Sequence, residues 1–213
     1  MSTLQELFLI RHGAVAGPPC LLGRTDTAVS DRGHQAAVEL VEQMGDLMAY
    51  DALFTSPRIR CRRTADIIAK RFSLEVQTET GFSECDFGEL DGKPFAVYSE
   101  DERQLLGKFW GAPMSDTLPG AEPLQVFHRR TAEALSSLWQ RFDSQAIAFT
   151  HGGVIRMLLA EVMGFGCGGM QSLLSLNIPY ASVTSIQRYH ALGQDVQYSV
   201  RHLGWQPKFL MES

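Results

Sequence analysis

Short apolar runs alternate with stretches of helical periodicity along most of the chain. Buried strands are predicted over four runs, at 7–10, 51–55, 74–77 and 146–149. Because strands that alternate with helices form parallel sheets covered on both faces, the pattern predicts an α/β fold, specifically a layered α/β/α sandwich with a mainly parallel sheet. Two late runs, 183–189 and 196–203, are joined by a turn containing Gly193 and are predicted to extend the sheet antiparallel at one edge.

Helices are predicted between these strands from apolar residues at helical spacing. Ser30 is a favourable N-cap for the first helix, whose apolar stripe extends to Leu47 and Met48. Ser56-Pro57 predicts the start of the second, since proline is favoured at the first helical position. The third is predicted over 127–142, and the fourth follows a turn at 151–153 and is closed by Gly164.

Residues 81–123 have no clear periodicity and are rich in glycine, proline and aromatic residues. This segment is predicted to be an insertion or lid that shapes a pocket within a single domain spanning 1–213. Its aromatic side chains permit an aromatic or nucleoside-like ligand, although core packing explains them equally well. They are Phe87, Phe95, Tyr98, Phe109 and Trp110.

Composition narrows the classes of partner. A formal net charge of -5 provides no basic surface for nucleic acid or for an anionic membrane, so any anion site must be local. The four cysteines lie far apart without zinc-ligand spacing, which indicates reduced thiols and no metal site. No apolar stretch is long enough to span a bilayer and the start lacks signal-peptide character, so the predicted location is cytoplasmic.

Polar residues that could take part in catalysis or ligand binding follow three of the predicted strands. They are Arg11-His12-Gly13, the arginine cluster at 58–63, and His151-Gly152-Gly153. In parallel sheets, ligands bind at the carboxyl ends of the strands, so these groups are expected to meet. Guanidinium groups match phosphate oxygens, and glycines allow backbone N–H groups to approach a ligand. The pattern therefore predicts an anion site that contains a nucleophile.

Each of these groups also has a purely structural interpretation when it is considered alone. A histidine after a strand is more often a structural hydrogen-bonding group than a catalyst. Of the four arginines in the cluster, most are expected to be solvated and one functional, and loop carboxylates are usually solvated too. The arginines are Arg58, Arg60, Arg62 and Arg63, and the carboxylates are Glu84, Asp86, Glu89 and Asp91. The prediction of an anion site rests on the occurrence of these groups together, at the ends of three strands.

The motifs in their order resemble those of the histidine phosphatase superfamily, also called the phosphoglycerate mutase-like family. The matching segments are LIRHG at 9–13, GRTDTAVSDRGHQA at 23–36, TSPRIRCRRTA at 55–65, FSECDFGELDG at 82–92, PGAEP at 119–123 and THGGVIR at 150–156. The resemblance implies a phosphoglycerate mutase-like fold. It implies that His12 is the nucleophile, that Arg11 and Arg60 hold phosphate, that Glu84 donates a proton and that His151 is a second imidazole.

Two further residues are candidate phosphate or substrate contacts. Gly152 is expected to present backbone N–H groups, and Arg24 is placed near the pocket mouth, where a solvated surface arginine is an equal alternative. Pro18 and Leu22 depart from the mutase pattern, so the mutase substrate contacts do not carry over.

The resemblance implies a metal-independent phosphomonoesterase without a cofactor, acting on a small phosphate ester through a phosphohistidine. Within the family the chain is most similar to the bacterial α-ribazole phosphatases of cobalamin assembly, which implies α-ribazole 5'-phosphate as substrate. The alternatives are a phosphoglycerate mutase, another sugar-phosphate phosphatase, and a non-catalytic phospholigand-binding protein.

The expected mechanism makes specific demands on both histidines. His12 is expected to be neutral, with one ring nitrogen donating to a backbone carbonyl so that the other can attack phosphorus. His151 is expected to be protonated and to add its positive charge to that of Arg11 and Arg60.

Overall fold

The computed structural model describes residues 2–45, 49–112 and 117–207, which form a six-stranded sheet with helices on both faces. The strands are β1 (Ser2–Arg11), β2 (Ala52–Thr55), β3 (Val76–Thr78), β4 (Gln145–Thr150), β5 (Val183–Ala191) and β6 (Gln197–Trp205). The α-helices are α1 (Asp31–Gln43), α2 (Ile59–Phe72), α3 (Glu100–Gly111), α4 (Leu124–Leu138), α5 (Gly152–Val162) and α6 (Met170–Leu173).

The sheet is mainly parallel, as the alternation of strands and helices predicts. Its strand order is β3-β2-β4-β1-β5-β6. The first four strands in that order are parallel, whereas β5 pairs antiparallel with β1 and β6 antiparallel with β5. Strands β1 and β4 are neighbours, with Arg11 opposite Thr150. The carboxyl ends of β1, β2 and β4 therefore meet at one edge of the sheet.

Alternate residues of β4 face opposite helical layers. Ala146 and Ala148 belong to the core that includes residues of α4 and α5, whereas Ile147 and Phe149 pack in the core of α1 and α2. All four are fully buried. Side chains of a strand alternate between the two faces of a sheet, so a strand that is apolar throughout requires cover on both sides. The predicted α/β/α sandwich is confirmed.

The predicted start of the second helix at Ser56-Pro57 is wrong, because α2 begins at Ile59. Local capping residues do not set this boundary. The N–H of Ile59 donates to Asp26 Oδ1 at 2.8 Å, so the cap comes from a distant loop. Ser56 instead places its hydroxyl 2.8 Å from Nε2 of His151.

Other predicted boundaries shift by a few residues. Strand β3 starts at Val76 rather than at residue 74, and α4 ends at Leu138, with Phe142 buried in the following turn. Ser30 caps α1 as predicted, since its side chain accepts from the Gly33 N–H, and α1 ends at Gln43. Leu47 and Met48 lie outside the described residues. Gly164, with a φ of 75°, follows the C-cap of α5 as predicted.

The segment at 81–123 contains a regular helix, α3, that the sequence prediction lacks. A capping box begins it: Ser99 Oγ accepts from the Glu102 N–H, and the Glu102 carboxylate accepts from the Ser99 N–H. The segment has a small core of its own, formed with Leu21. That core comprises Leu21, Leu90, Tyr98, Phe109 and Leu118. We call residues 81–123 the lid segment, and its role as an insertion or lid stays a prediction; residues 113–116 lie outside the described part.

Cys20, Cys61, Cys85 and Cys167 are unpaired in the structure, and Cys61 and Cys85 are buried. Among the helices of the described residues, none is both long enough and apolar enough to cross a membrane.

Candidate active site

The ends of β1 and β4 bring the two predicted histidines together. The backbone N–H of His12, the residue after β1, donates to the Thr150 carbonyl at 3.0 Å, which fixes the two strand ends relative to each other. The ring centroids of His12 and His151 are 5.2 Å apart. Both side chains are almost completely removed from solvent, with 5% and 0% of their surface exposed.

His12 has the hydrogen bond that a nucleophilic histidine requires. Its Nδ1 lies 2.8 Å from the Gly13 carbonyl oxygen. A carbonyl only accepts, so Nδ1 carries the proton and Nε2 carries the lone pair. Burial lowers the pKa of His12 well below its usual 6.5, and the charges of Arg60 and Arg11 lower it further. The imidazole is therefore neutral near pH 7, with Nε2 free to attack.

His151 is also neutral, which contradicts the expectation of a protonated ring. Arg60 Nε donates to His151 Nδ1 at 3.2 Å, so Nδ1 must be an acceptor, and the proton on Nε2 is left to donate to Ser56 Oγ. Burial lowers the pKa of His151 well below 6.5, and the charge of Arg60 adds to this effect. In this arrangement the positive charge of the site comes from the arginines.

Arg11 has donor capacity that the protein does not use. Its Nη1 donates to the Ile178 carbonyl at 2.6 Å, whereas its buried Nε has no partner among the described residues. The guanidinium lies 3.8 Å from the centre of the Tyr180 ring. It also lies against the amino end of α5, where a Cβ on Gly152 would be 3.4 Å from Nε. First-turn N–H groups and a buried guanidinium N–H together form a favourable environment for an anion.

Arg60 is fully buried, and most of its hydrogen-bonding capacity is used within the protein. Besides His151, its N–H groups donate to three carbonyls of the loop after Leu21. These belong to Leu22, Gly23 and Thr25, at distances of 2.7, 3.1 and 2.9 Å. A guanidinium has five N–H donors, so at most one is left for a ligand. Arg60 thus supplies charge and holds the loop, and a two-pronged contact with phosphate would require one of these bonds to break.

Two of the other arginines of the cluster point away from the histidines: Arg62 pairs with Asp66 on the same helix, and Arg63 is exposed. Arg58 donates to the Arg24 carbonyl, and its charge acts on His151; its buried Nε has no partner among the described residues. The expectation that one arginine of the four enters the site agrees with the burial of Arg60.

Glu84 lies at the amino end of α5. Its Oε1 accepts from the backbone N–H of the next residue, Cys85, and its Oε2 accepts from the Gly153 N–H, both at 3.0 Å. Arg130 of α4 holds the loop that carries Glu84. Its guanidinium donates to the carbonyls of Gly81, Ser83 and Glu84 and pairs with Glu122. Sequence reasoning missed Arg130, because its partners are backbone carbonyls that no motif marks.

Asp91 is a structural residue of the site, not the solvated carboxylate that was expected. Its carboxylate accepts from the backbone N–H groups of Gly23, Arg24 and Thr25 at 2.8, 3.0 and 2.8 Å. Burial alone would raise the pKa of Asp91, but hydrogen bonds from the side chain and backbone of Thr25 and from the N–H groups of Phe87 and Arg24 outweigh it and lower the pKa. The residue thereby ties the loop at 22–25 to the loop after Glu84.

Arg24 lies at the outer end of this loop. Its side chain is 58% exposed, its Nη1 is 3.7 Å from an Asp86 carboxylate oxygen, and its Nη2 donates weakly to the Gly88 carbonyl at 3.3 Å. These contacts bridge two loops at the surface. A direct substrate contact by Arg24 stays a prediction.

A cavity of about 130 Å³ opens beside Glu84 and Arg11. Gly152 and Gly153 form one end of it, and residues of the lid, of α4 and of the segment after α6 form the walls. The wall residues are Cys85, Phe87, Phe109, Trp110, Leu124, Phe127, Arg156 and Leu174. Of the five aromatic residues in the lid segment, Phe87, Phe109 and Trp110 line the cavity, whereas Phe95 and Tyr98 contact each other edge to face outside the lining.

The glycine at 153 is required by the position of the Glu84 carboxylate. A Cβ at Gly153 would lie 2.2 Å from Glu84 Oε1, whereas one at Gly152 would meet nothing closer than Arg156 Nη1 at 3.3 Å. We expect Gly153→Ala to leave the thermal unfolding temperature nearly unchanged, because a flexible side chain can move. The same substitution should slow hydrolysis of an alkyl phosphate roughly tenfold or more, by displacing a positioned acid–base group. Gly107→Ala in α3, where a Cβ would meet nothing within 4 Å, is the control, and an equal loss in both variants would contradict this role of the glycine.

Two buried neutral histidines predict a stability that depends on pH. The pKa values of His12 and His151 are lower in the folded chain than the usual 6.5, so the unfolded chain binds more protons as the pH falls below about 6.5. The free energy of unfolding should therefore decrease below that pH, by up to about 1.4 kcal/mol per pH unit for each histidine. Urea denaturation between pH 7 and 5 measures this slope.

The variant His12→Asn keeps an N–H donor for the Gly13 carbonyl but cannot bind the proton. It should show a shallower pH slope of stability than the wild type, whereas His202→Asn on exposed β6 should not. Identical slopes in all three proteins would show that His12 is not held neutral by the fold.

Among residues 2–45, 49–112 and 117–207, no cluster of three or more His, Cys, Asp or Glu side chains could hold a metal ion. The fold and the site together define an α/β protein in which two buried histidines and two arginines meet at the carboxyl ends of the parallel strands. The sequence profile of the Histidine phosphatase superfamily (branch 1) matches residues 7–199. The chain therefore belongs to this superfamily, and the enzyme class predicted from its motifs, a hydrolase of phosphate esters, agrees with that membership.

Known proteins similar to this chain have several named activities. "Probable phosphoglycerate mutase GpmB" of Salmonella choleraesuis is 24% identical over 162 residues, which cover 75% of each chain. A mycobacterial glucosyl-3-phosphoglycerate phosphatase has a similar structure, with a TM-score of 0.82, 20% identity, and coverage of 94% of this chain and 99% of that one. The α-ribazole phosphatase of Shigella flexneri has a TM-score of 0.76 at 20% identity, covering 94% and 96%. At these identities the structural similarity establishes the fold.

Proposed function

We propose that the protein is a phosphomonoesterase that transfers phosphate from a small organic ester to His12 and then to water. The observation that carries this proposal is the state of His12: a buried neutral imidazole whose Nδ1–H is held by the Gly13 carbonyl, leaving the Nε2 lone pair beside two arginines. The Nδ1–H bond leaves Nε2 as the basic ring nitrogen, and the charges of Arg60 and Arg11 act on the same ring.

The reaction has two steps. His12 Nε2 attacks phosphorus, the N–P bond forms, and the bond from phosphorus to the ester oxygen breaks. Arg11 and the amino end of α5 stabilise the negative charge on the oxygens of the transferred phosphoryl group, and the positive charge of buried Arg60 adds to this stabilisation. This arrangement supplies electrostatically what metal ions supply at other phosphoryl-transfer sites, so no metal is required.

Glu84 is proposed to move the protons. Its carboxyl group borders the cavity beside Arg11, where the alcohol part of the ester would leave. When protonated, it gives its proton to the leaving alkoxide, and when ionised it takes a proton from the water that attacks the phosphohistidine. His151 orients Arg60 by accepting a hydrogen bond from it at Nδ1. Gly152 and Gly153, which have no side chains, let the substrate phosphate and the Glu84 carboxylate approach the amino end of α5.

The proposed substrate is α-ribazole 5'-phosphate, and the proposed place of action is the cytoplasm. The motif resemblance supports the substrate, and the structural similarity to an α-ribazole phosphatase is compatible with it. Nothing in the charge of the chain favours nucleic acid or a membrane as partner, and the direct partner is a small phosphate ester.

Trapping the phosphoenzyme tests this function. Rapid acid-free quenching with ³²P-labelled p-nitrophenyl phosphate should yield one labelled histidine, stable to alkali and labile to acid, at residue 12. Vanadate, which adopts five-coordinate geometry, should inhibit, and EDTA should leave the rate unchanged. The control His128→Ala removes a histidine that pairs with Glu161 near the surface and should label normally. Loss of activity in EDTA, restored by a divalent ion, would refute the metal-free mechanism.

The same labelled enzyme distinguishes a phosphatase from a mutase. A phosphatase loses its label to water, whereas a mutase retains it until 3-phosphoglycerate accepts the phosphate. Release of inorganic phosphate without phosphoglycerate as acceptor supports hydrolysis. Retention of the label until phosphoglycerate is added would favour the mutase, and a protein that binds phosphate esters but never labels would be a non-catalytic receptor.

A further inference from the structure

The cavity beside Glu84 is polar at one end and apolar over the rest of its lining. Arg11, Glu84 and the two glycines of α5 form the polar end, next to the site proposed for the phosphate. The remaining walls are aromatic or aliphatic side chains apart from Cys85 and Arg156. A ligand that places its phosphate at Arg11 and its ester oxygen at Glu84 would therefore extend its alcohol portion into the apolar end.

Arg156 is a cation in this lining, and three of its five N–H groups are engaged by the protein. Its Nε donates to the Leu173 carbonyl at 3.1 Å, its Nη2 to the Leu176 carbonyl at 2.8 Å, and its Nη1 weakly to the Gly152 carbonyl at 3.3 Å. These bonds join α5 to the segment after α6. The selection inferred below therefore rests on the aromatic wall of the cavity and not on this cation.

The aromatic side chains of the lid form a continuous wall. The ring centroids of Phe109 and Trp110 are 4.8 Å apart with 58° between the planes, and those of Phe87 and Trp110 are 6.4 Å apart with 60° between the planes. Aromatic rings pack favourably in tilted and edge-to-face arrangements, which a ligand ring can extend. An apolar protein cavity of roughly 150 Å³ holds one benzene molecule, so the 130 Å³ here matches a single ring.

We propose that this cavity is the leaving-group site, and that it selects phosphate monoesters of alcohols that carry an aromatic group. The inference rests on the proposed phosphatase function and adds to it which part of the alcohol the site recognises. Phe87, Phe109 and Trp110 bind the ring, while Glu84 faces the oxygen that joins it to phosphorus. Glycerol phosphates and phosphoglycerates lack such a ring and are poor substrates.

A comparison of two alkyl phosphates tests the selection. Benzyl phosphate and ethyl phosphate both leave as alkoxides, so they differ mainly in the ring. Burial of one ring is expected to raise kcat/KM for benzyl phosphate roughly 10- to 100-fold above that for ethyl phosphate. Trp110→Ala should remove most of that advantage, whereas Trp110→Phe should retain it. Phe95→Ala, which removes a lid aromatic outside the cavity, is the matched control.

Binding of benzylphosphonate and methylphosphonate, measured by calorimetry, separates this inference from the proposed function. Neither compound can be hydrolysed, so a preference for benzylphosphonate that Trp110→Ala abolishes supports the site even in an inactive protein. Equal affinities, or equal kcat/KM for ethyl and benzyl phosphate with a normal phosphohistidine, would overturn the inference and leave the phosphatase intact. Selective ring binding without any phosphohistidine would overturn the function instead.

Discussion

Turnover of every phosphate monoester is expected to fall at least about a thousandfold when His12 is replaced by alanine. The substitution removes the atom to which phosphate is transferred, while the arginines and the end of α5 still bind the ester. Binding and electrostatic stabilisation alone can sustain a small residual rate. We expect this residual rate not to exceed about a thousandth of the wild-type rate. Steady-state rates with p-nitrophenyl phosphate measure the loss.

The fold should survive this substitution, because His12 follows the end of β1 and the hydrogen bond from its N–H to Thr150 is made by the backbone. Circular dichroism and the affinity for inorganic phosphate should both remain close to wild type. His128→Ala provides the control for loss of a histidine near the surface. A variant that stays folded and turns over faster than a thousandth of wild type would place the nucleophile at another residue.

The positions of the strand ends could be predicted from the sequence because their causes are local. An apolar run that stops at Arg11 or at His151 gives both the strand and the residue that follows it. Parallel pairing then places these residues at one edge, whatever the details of the helices. The meeting of His12, His151 and Arg60 follows from that topology, although their individual roles come from the family resemblance.

The features that the sequence did not reveal depend on contacts between distant segments. Asp26 caps α2 from 33 residues away, and Asp91 and Arg130 bond to backbone N–H groups and carbonyls, which every residue has. No residue pattern distinguishes such partners. Helix α3 is different, because Ser99 and Glu102 form a capping box that is visible in the sequence, and that signal could have located the helix.

The charge of His151 also required the structure. Histidine titrates near neutral pH, so its sequence position alone leaves both states open. The contact with Arg60 decides the matter, since a guanidinium donates and its partner nitrogen must accept. The consequence is that Arg11 and Arg60 carry the positive charge of the proposed mechanism. Arg60 does so largely through its field, because its N–H groups are bound elsewhere.

The second large effect is expected for Glu84→Gln, and it should depend on the leaving group. An alkoxide needs a proton to depart, whereas p-nitrophenolate departs without one, so loss of a positioned acid slows only the first kind of ester strongly. Hydrolysis of ethyl phosphate should fall roughly 10² to 10⁴-fold, and hydrolysis of p-nitrophenyl phosphate much less.

Asp86→Asn is the matched control, because Asp86 lies two residues along the same loop and its carboxylate accepts from the Gly88 N–H at 2.8 Å and pairs with Arg24 outside the cavity. It should lower both rates by a similar small factor, since it perturbs the loop without touching the leaving oxygen. The ratio of the two kcat/KM values, measured for each variant, therefore isolates proton donation from structural damage. If the Asp86 variant alone changes that ratio, or if both variants change it equally, Glu84 is not the acid, even though phosphate transfer to His12 would still stand.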